Sequence, residues 1–183
     1  IMKILAIIPA RGGSKGVPKK NIAKINDIPL IGYTISAALE VSDLTDIIVS
    51  TDDSEIAEIA KRLGAQVPFI RPNELANDVA QSAPVIEHAL YFMEKYNGIK
   101  YDSILMLQPT SPLRTSKHIN ESIELFGSQE CDSVVSIVSV GGNHPFRMKR
   151  LVGNQLINFI DQGFWDMRPR QSLPEVYIRN GAI

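Results

Sequence analysis

The sequence predicts an α/β fold in which a doubly wound, mostly parallel sheet lies between layers of helices. Four short apolar runs, at residues 3–8, 46–50, 103–107 and 133–138, are continuous rather than alternating, which is typical of strands covered on both faces. Segments with helical apolar spacing separate these runs, and this alternation is typical of repeated βαβ units. The length of 183 residues is that of one ordinary domain, so we expect a single three-layer domain.

The spacing of apolar residues predicts four helices, of which one follows the first strand, two follow the second and one follows the third. Asp52 and Glu55 have the spacing of a capping box before the second helix, and Thr115 or Ser116 can cap the fourth. In doubly wound sheets ligands bind beyond the carboxyl ends of the strands. The segments that directly follow the strands are therefore where chemistry is expected.

The alternating pattern ends after Val140. Residues 141–172 combine glycines, basic residues and apolar pairs, and Gly153 with Asn154 is typical of the turn of a β-hairpin. The segment also carries large apolar side chains that a short hairpin cannot bury, which are Phe164, Trp165 and Met167. Either a second subunit covers them or they fold back onto the parent sheet, and both interpretations stay open.

Composition excludes several classes of protein. Hydrophobic residues make up 44% and charged residues 21%, as in globular domains. The single Cys131 excludes an internal disulfide framework and a cysteine-based zinc cluster. No apolar run approaches the roughly 20 residues that span a bilayer, and the apolar start is too short for a signal peptide. We expect a cytoplasmic protein without a membrane partner.

The net charge of −1 conceals an asymmetry along the chain. Residues 1–26 contain six lysines and arginines and no acidic residue, so the remainder, with 13 cations and 20 acids, carries a net charge of −7. A short basic block on an acidic body indicates either a solvated loop or a local anion site. It does not predict a nucleic-acid surface, because the cations lie in one glycine loop without interleaved aromatic residues.

The basic block follows the first strand as P-A-R-G-G-S-K-G-V-P-K-K-N, residues 9–21. Its three glycines let backbone N–H groups approach a ligand closely, and Arg11, Lys15 and Lys20 lie among them. Several cations together with oriented amides can hold a polyphosphate. The spacing matches neither the P-loop nor G-x-G-x-x-G, which disfavours a kinase-type site and a nicotinamide site.

This loop resembles the signature loop of the acylneuraminate cytidylyltransferases, the CMP-sialic acid synthetases, which include CMP-legionaminate and CMP-pseudaminate synthetases. Four further resembling segments follow in order, which are R-P-N-E-L-A-N-D (71–78) with Ser82, Q-P-T-S-P-L-R (108–114), R-P-R-Q (168–171) and Y-I-R-N-G-A-I (177–183). The Kdo cytidylyltransferases resemble the loop more weakly. The resemblance covers nearly the whole chain and implies one nucleotide-diphospho-sugar transferase-like domain over residues 1–183.

The resemblance implies a reaction of CTP with a 2-keto sugar acid, assisted by Mg²⁺. CMP would be transferred to the anomeric hydroxyl of a nonulosonic acid for surface glycan biosynthesis, with release of pyrophosphate. An N-acylneuraminic, legionaminic, pseudaminic or Kdo-type acceptor stays open. The alternative from another class of function is a catalytically impaired module that binds the nucleotide.

The resemblance also implies the site residues. The implied nucleotide site consists of Arg11, Gly12, Gly13, Ser14, Lys15, Lys20, Asn21, Arg71, Ala80 and Ser82. The implied sugar site consists of Gln108, Arg147, Arg170 and Tyr177. Arg170 matches the family's proposed catalytic arginine, and Arg11 and Lys20 would stabilise the leaving pyrophosphate. Residues 141–172 match the family's dimerisation excursion, which completes the active site of the partner, so a homodimer is expected.

The chain stops at Ile183, within what resembles the penultimate core strand of the family. The family's metal-binding aspartate pair lies beyond that point, so no metal ligand is assigned and we expect weak or no turnover. Asp52 and Asp53 are interpreted as helix caps, and Arg114 as a surface cation.

Overall fold

The computed structural model describes residues 2–14, 16–77, 81–161 and 168–183. The chain forms two compact units, of which the first comprises Ile1–Val135 with Gly181–Ile183 and the second Ser136–Asn180. No helix within the described ranges is both long and apolar enough to cross a bilayer.

The first unit contains the helices and the main sheet. Its strands are β1 (Ile4–Pro9), β2 (Lys24–Ile25), β3 (Ile28–Pro29), β4 (Asp46–Ser50) and β5 (Ser103–Met106). Its helices are α1 (Leu30–Leu39), α2 (Ser54–Arg62), α3 (Ser82–Asn97) and α4 (Ser116–Ser128). Strands β2 and β3 form a small hairpin, and both residues of its turn, Asn26 and Asp27, have left-handed φ angles of 48° and 63°.

Strand β1 is the centre of a parallel sheet with the order β4–β1–β5. Its side chains alternate between two cores, since Ile4, Ala6 and Ile8 pack against α1, α2 and α4, whereas Leu5 and Ile7 pack against α3. All five side chains are buried. The continuous apolar run therefore reflects helices on both faces of the strand, and the predicted three-layer α/β fold is confirmed.

The second unit consists of four short strands, which are β6 (Ile137–Ser139), β7 (Lys149–Val152), β8 (Gln155–Asn158) and β9 (Tyr177–Arg179). Strands β7 and β8 form the predicted hairpin, with Gly153 in its turn at a φ of 58°. The large apolar residues Phe164, Trp165 and Met167 lie outside the described residues. The role of segment 141–172 in dimerisation stays a prediction.

Three of the four predicted strands are present in the parallel sheet, and the prediction for residues 133–138 is wrong. Strand β6 begins at Ile137 and pairs antiparallel with β9 in the second unit. The side chains of Val135, Ile137 and Val138 are about half exposed, at 46%, 52% and 49%. An apolar run identifies a strand but not its partner, and here the partner lies about 40 residues later in the chain.

Asp53 is the N-cap of α2, and its carboxylate accepts the backbone N–H groups of Glu55 at 2.8 Å and Ile56 at 3.1 Å. The predicted cap at Asp52 is wrong, because that carboxylate instead accepts a hydrogen bond from the loop after β1. The prediction for Thr115 is confirmed, since it is the N-cap of α4.

Replacing the cap tests how much it stabilises α2. We expect Asp53→Ala to lower the free energy of unfolding by about 1 kcal/mol, because two N–H groups lose their acceptor. Asp53→Asn should retain most of the stability, since asparagine caps equally well. Urea denaturation followed by circular dichroism measures both variants. Equal losses in the two variants would contradict a capping role.

Candidate active site

The loop of residues 10–22 leaves β1 at the carboxyl edge of the sheet and is held at both ends. The Ala10 N–H donates to the carbonyl of Ser50 at 2.9 Å, which continues the pairing of β1 with β4. The buried Asn21 donates from Nδ2 to the carbonyl of Arg11 at 2.9 Å. This bond closes the loop across ten residues. The predicted phosphate contact Lys15 lies outside the described residues.

Close packing around position 12 of this loop leaves room only for glycine. Its N–H donates to Asp52 Oδ1 at 2.9 Å, and a Cβ added to it would lie 2.7 Å from Asp53 Oδ2. A Cβ added to Gly13 or Gly16 would meet nothing within 4 Å. The Gly12 amide is thus used inside the protein, and its contact with a nucleotide stays a prediction.

The neighbouring lysines of the loop have different surroundings. Lys19 has a left-handed φ of 50°, and its ammonium donates to the carboxylate of Glu55 on α2. This hydrogen bond and the charge of Glu55 raise the pKa of the exposed Lys19. Lys20 is half-buried and lines a cleft together with Arg11. The sequence alone does not separate the two lysines, whereas the backbone geometry does.

Arg71 is buried at the floor of the site, with 5% of its surface exposed. Its guanidinium donates from Nε to Ser50 Oγ at 3.0 Å, from Nη2 to the Ser50 carbonyl, and from Nη1 to the Leu75 carbonyl at 3.5 Å. Burial lowers the pKa of Arg71, the charge of Asp52 acts in the opposite direction, and the charge of Arg11 lowers it again. Arg71 is therefore a fixed cation within electrostatic range of both side chains.

These elements surround a cleft of about 280 Å³ at the carboxyl ends of β1 and β5. The predicted site residues that line it are Arg11, Ser14, Lys20, Asn21, Arg71, Ser82 and Gln108. Gly12 and Gly13 belong to the loop but not to the lining, and Ala80 lies outside the described residues. The cleft occupies the position where doubly wound sheets bind their ligands.

Helix α3 begins at this cleft. Gln81, Ser82, Val85 and Ile86, all in or next to its first turns, are among the lining residues. The first N–H groups of a helix have no partner within the helix, and the helix dipole makes this end positive. The beginning of α3 thus adds to the positive potential of Arg11, Lys20 and Arg71.

Several residues of the site are not among those predicted from the sequence. Asn77, Gln81 and Thr110 line the cleft, and the first and third of these stand inside segments that had already been singled out by their resemblance. Asp52 was interpreted as a cap, whereas it holds the loop. Arg114 was interpreted as a surface cation, which is wrong, because it is buried behind Gln108 and donates to its carbonyl at 3.2 Å.

A second cavity, of about 460 Å³, lies beside β5 and α4. Its lining is largely apolar and includes Leu105, Ile123 and Phe126. The charged side chains among its described lining residues are Asp102 and Asp132, both acidic. This cavity does not suit a phosphate.

Three predicted sugar-site residues belong to the second unit. Arg147 donates from Nη2 to the Arg168 carbonyl at 2.8 Å. Arg170 begins a 3₁₀ turn, and the exposed Tyr177 donates its hydroxyl to Glu175 at 2.6 Å, which raises the pKa of Tyr177. Their contact with a sugar acid stays a prediction.

The described residues contain no cluster of side chains typical of a metal site. They contain no group of three or more His, Cys, Asp or Glu side chains arranged to hold a metal ion. Asp52 and Asp53 at the end of β4 both accept hydrogen bonds from backbone N–H groups. No metal ligand is therefore assigned among the described residues, and the binding of Mg²⁺ stays a prediction.

A parallel three-layer sheet with a cationic cleft and a helix N-terminus at its carboxyl edge is typical of α/β domains that bind phosphorylated ligands. Residues 5–152 match the model of the cytidylyltransferase family, and the chain belongs to this family.

Comparison with known proteins agrees with this assignment. The chain is 36% identical over 181 residues to post-translational flagellin modification protein B of Campylobacter coli, covering 99% of this chain and 76% of that protein. It is 40% identical over 183 residues to N-acylneuraminate cytidylyltransferase of Escherichia coli O18:K1:H7, covering 99% of this chain and 41% of that protein. The chain thus spans less than half of the length of the second relative.

The fold also matches a solved structure. CMP:2-keto-3-deoxy-manno-octonic acid synthetase complexed with CTP superposes with a TM-score of 0.60 at 20% identity, over 82% of this chain and 60% of that one. At this identity the match supports the fold alone.

The close approach at Gly12 generates a test of the loop. We expect Gly12→Ala to lower the free energy of unfolding by about 1–3 kcal/mol, because the added methyl group collides with the Asp53 side chain. Gly13→Ala is the matched control and should change stability little, since space is open around it. Chemical denaturation measures both. Equal stability of the two variants would show that Gly12 is not closely packed.

Proposed function

We propose that this chain carries the CTP site of an enzyme that transfers CMP from CTP to the anomeric hydroxyl of a nonulosonic acid. The observation that supports this most strongly is the cleft lined by Arg11, Lys20 and Arg71 next to the beginning of α3. Family membership and a relative whose name is N-acylneuraminate cytidylyltransferase support the same proposal.

The cleft suits a triphosphate because it combines a buried, hydrogen-bonded arginine with two cations of the loop after β1. Arg71 is held by Ser50 and Leu75, so its charge is oriented before a ligand arrives. Arg11 and Lys20 lie on the loop after β1 and line the same cleft. Each cation within about 4 Å of a phosphate charge contributes roughly 4 kcal/mol of Coulomb attraction at an effective dielectric constant of about 20, before the cost of desolvation.

In the proposed reaction a bond forms between the anomeric oxygen and the α-phosphorus, while the bond from that phosphorus to pyrophosphate breaks. The hydroxyl proton passes to solvent, and pyrophosphate leaves with the electron pair of the broken P–O bond. The residues of the cleft would hold the triphosphate in line for attack and stabilise the charge on the leaving group. Gln108, at the end of β5, offers an amide donor and acceptor to the sugar acid. A requirement for Mg²⁺ remains part of the proposal.

The proposal includes the second unit and a second copy of the chain. Arg147, Arg170 and Tyr177 would contact the sugar acid, as the resemblance implies. Within this unit Leu151 and Phe159 expose 69% and 61% of their surfaces, which favours burial against a partner. The reaction is proposed for the cytoplasm, where the free Cys131 would remain reduced.

A binding experiment tests the nucleotide site. We expect Arg11→Ala to weaken CTP binding by about 1.5–3 kcal/mol, roughly 10- to 150-fold, because a charged hydrogen bond to phosphate is lost. Lys19→Ala is the control, since that ammonium is paired with Glu55, and it should bind CTP within about twofold of the parent chain. Isothermal titration calorimetry measures both. Unchanged affinity in Arg11→Ala would remove the loop from the site.

An assay of pyrophosphate release tests the reaction and its acceptor. CTP and Mg²⁺ are supplied with N-acetylneuraminic, legionaminic or pseudaminic acid, or with Kdo. We expect pyrophosphate release with one of the first three acids. We expect this release to be slow, because the described residues contain no group of three or more side chains that could hold a metal ion. UTP in place of CTP is the control and should give none. CTP binding without release from any acid would favour the nucleotide-binding module, and release with Kdo alone would exclude a sialic-type acceptor.

A further inference from the structure

Arg114 is a buried cation that lies directly behind the cleft. Only 5% of its surface is exposed, and it does not line the cleft itself. It follows the turn after β5, where the backbone N–H of Arg114 donates to the Ser111 carbonyl at 3.1 Å. The turn directs the side chain inward.

The guanidinium of Arg114 joins three separate segments of the first unit. Nη1 donates to the Ala182 carbonyl at 2.6 Å, while Nη2 donates to Thr34 Oγ1 on α1 at 2.7 Å and to the Gln108 carbonyl at 3.2 Å. A guanidinium presents five N–H donors in a fixed plane, so one side chain can hold acceptors on separate segments at once.

Burial of the Arg114 charge costs stability, and its hydrogen bonds do not compensate this cost fully. All three acceptors are neutral, and Nε has no hydrogen-bond partner among the described residues. Burial lowers the pKa of Arg114 to about 10, so the group is still charged at neutral pH. A buried cation held by neutral acceptors is poor evidence for a stabilising role, because apolar residues of similar volume often serve stability better.

The segment around Gln108 shows what Arg114 holds in place. Thr110 Oγ1 donates to Gln108 Oε1 at 3.4 Å, and Ser111 Oγ donates to the Gly181 carbonyl at 3.3 Å. Gly181 has a left-handed φ of 72°, and a Cβ added there would lie 3.8 Å from Gln108 Oε1. The side-chain amide of Gln108 therefore lies between the Thr110 hydroxyl and the backbone of Gly181.

From these contacts we infer that Arg114 is a positioning residue for ligand binding, which fixes the Gln108 backbone so that its amide faces the cleft. The inference rests on the proposed function, in which Gln108 contacts the acceptor sugar. It assigns Arg114 no contact with the ligand. It predicts that loss of Arg114 affects ligands that reach Gln108 and spares the nucleotide.

Hydrogen exchange tests the fixing of the loop without any ligand. In Arg114→Lys the backbone amides of Gln108, Thr110, Ser111 and Leu113 should exchange about tenfold faster, because the charged bond to the Gln108 carbonyl is lost. Thr34→Val, which removes one acceptor and keeps the arginine, should give a smaller change in the same segment. Arg62→Lys, an exposed arginine on α2, is the control and should change nothing there. Unchanged exchange in Arg114→Lys, or faster exchange throughout the sheet, would overturn the inference.

Calorimetry with two probes tests the effect on binding. Arg114→Lys should bind CMP-N-acetylneuraminic acid about tenfold more weakly, yet bind CTP within about twofold. In a Gln108→Ala background, the same Arg114→Lys change should cause no further loss, since the two residues act as one unit. Equal losses for both probes, or full additivity, would contradict positioning through Gln108. If the parent chain binds neither probe, the proposed function fails, and the exchange result alone decides the role of Arg114.

Discussion

The hydrogen bond from the Gly12 amide to the Asp52 carboxylate is the contact on which the candidate site depends. It joins the loop after β1 to the end of β4 across 40 residues, at a distance that a side chain on Gly12 would prevent. It also places a negative charge near Arg71, whose pKa is lowered by burial, raised by Asp52 and lowered again by Arg11. The negative charge of Asp52 therefore offsets the repulsion between Arg11 and Arg71 while the cleft holds no anion.

The sheet makes this contact possible because it fixes where its strands end. Strand β1 is buried on both faces, so any shift along β4 or β5 would expose apolar side chains in two cores at once. The carboxyl ends of three parallel strands are thus held at one edge, and each supplies a part of the site. β1 supplies the cationic loop, β4 leads to Asp52, and β5 leads to Gln108. The fold positions the site through its core rather than through the loops themselves.

Sequence patterns predicted the elements whose cause is local. The continuous apolar runs of β1, β4 and β5 and the cations of residues 9–21 needed no knowledge of distant partners. Patterns failed where the partner is remote in sequence. They did not show that Asp52 would turn to Gly12 while Asp53 capped α2, nor that residues 133–138 would lack a place in the parallel sheet. Contacts between side chains that are distant in sequence depend on the packed fold, and the identity and spacing of residues alone do not predict them.

The two buried arginines illustrate the same point in energetic terms. In the sequence Arg71 and Arg114 read as surface cations or ligand contacts, yet both are 5% exposed and both donate to backbone carbonyls. Arginine suits this task because it remains charged when buried and presents several donors in a fixed plane. Arg71 lines the cleft and Arg114 stands behind it, so one supplies charge and the other holds the backbone that frames the cleft. The backbone around the cleft is therefore already ordered in the folded protein. A ligand that enters the cleft does not lose binding free energy to ordering it.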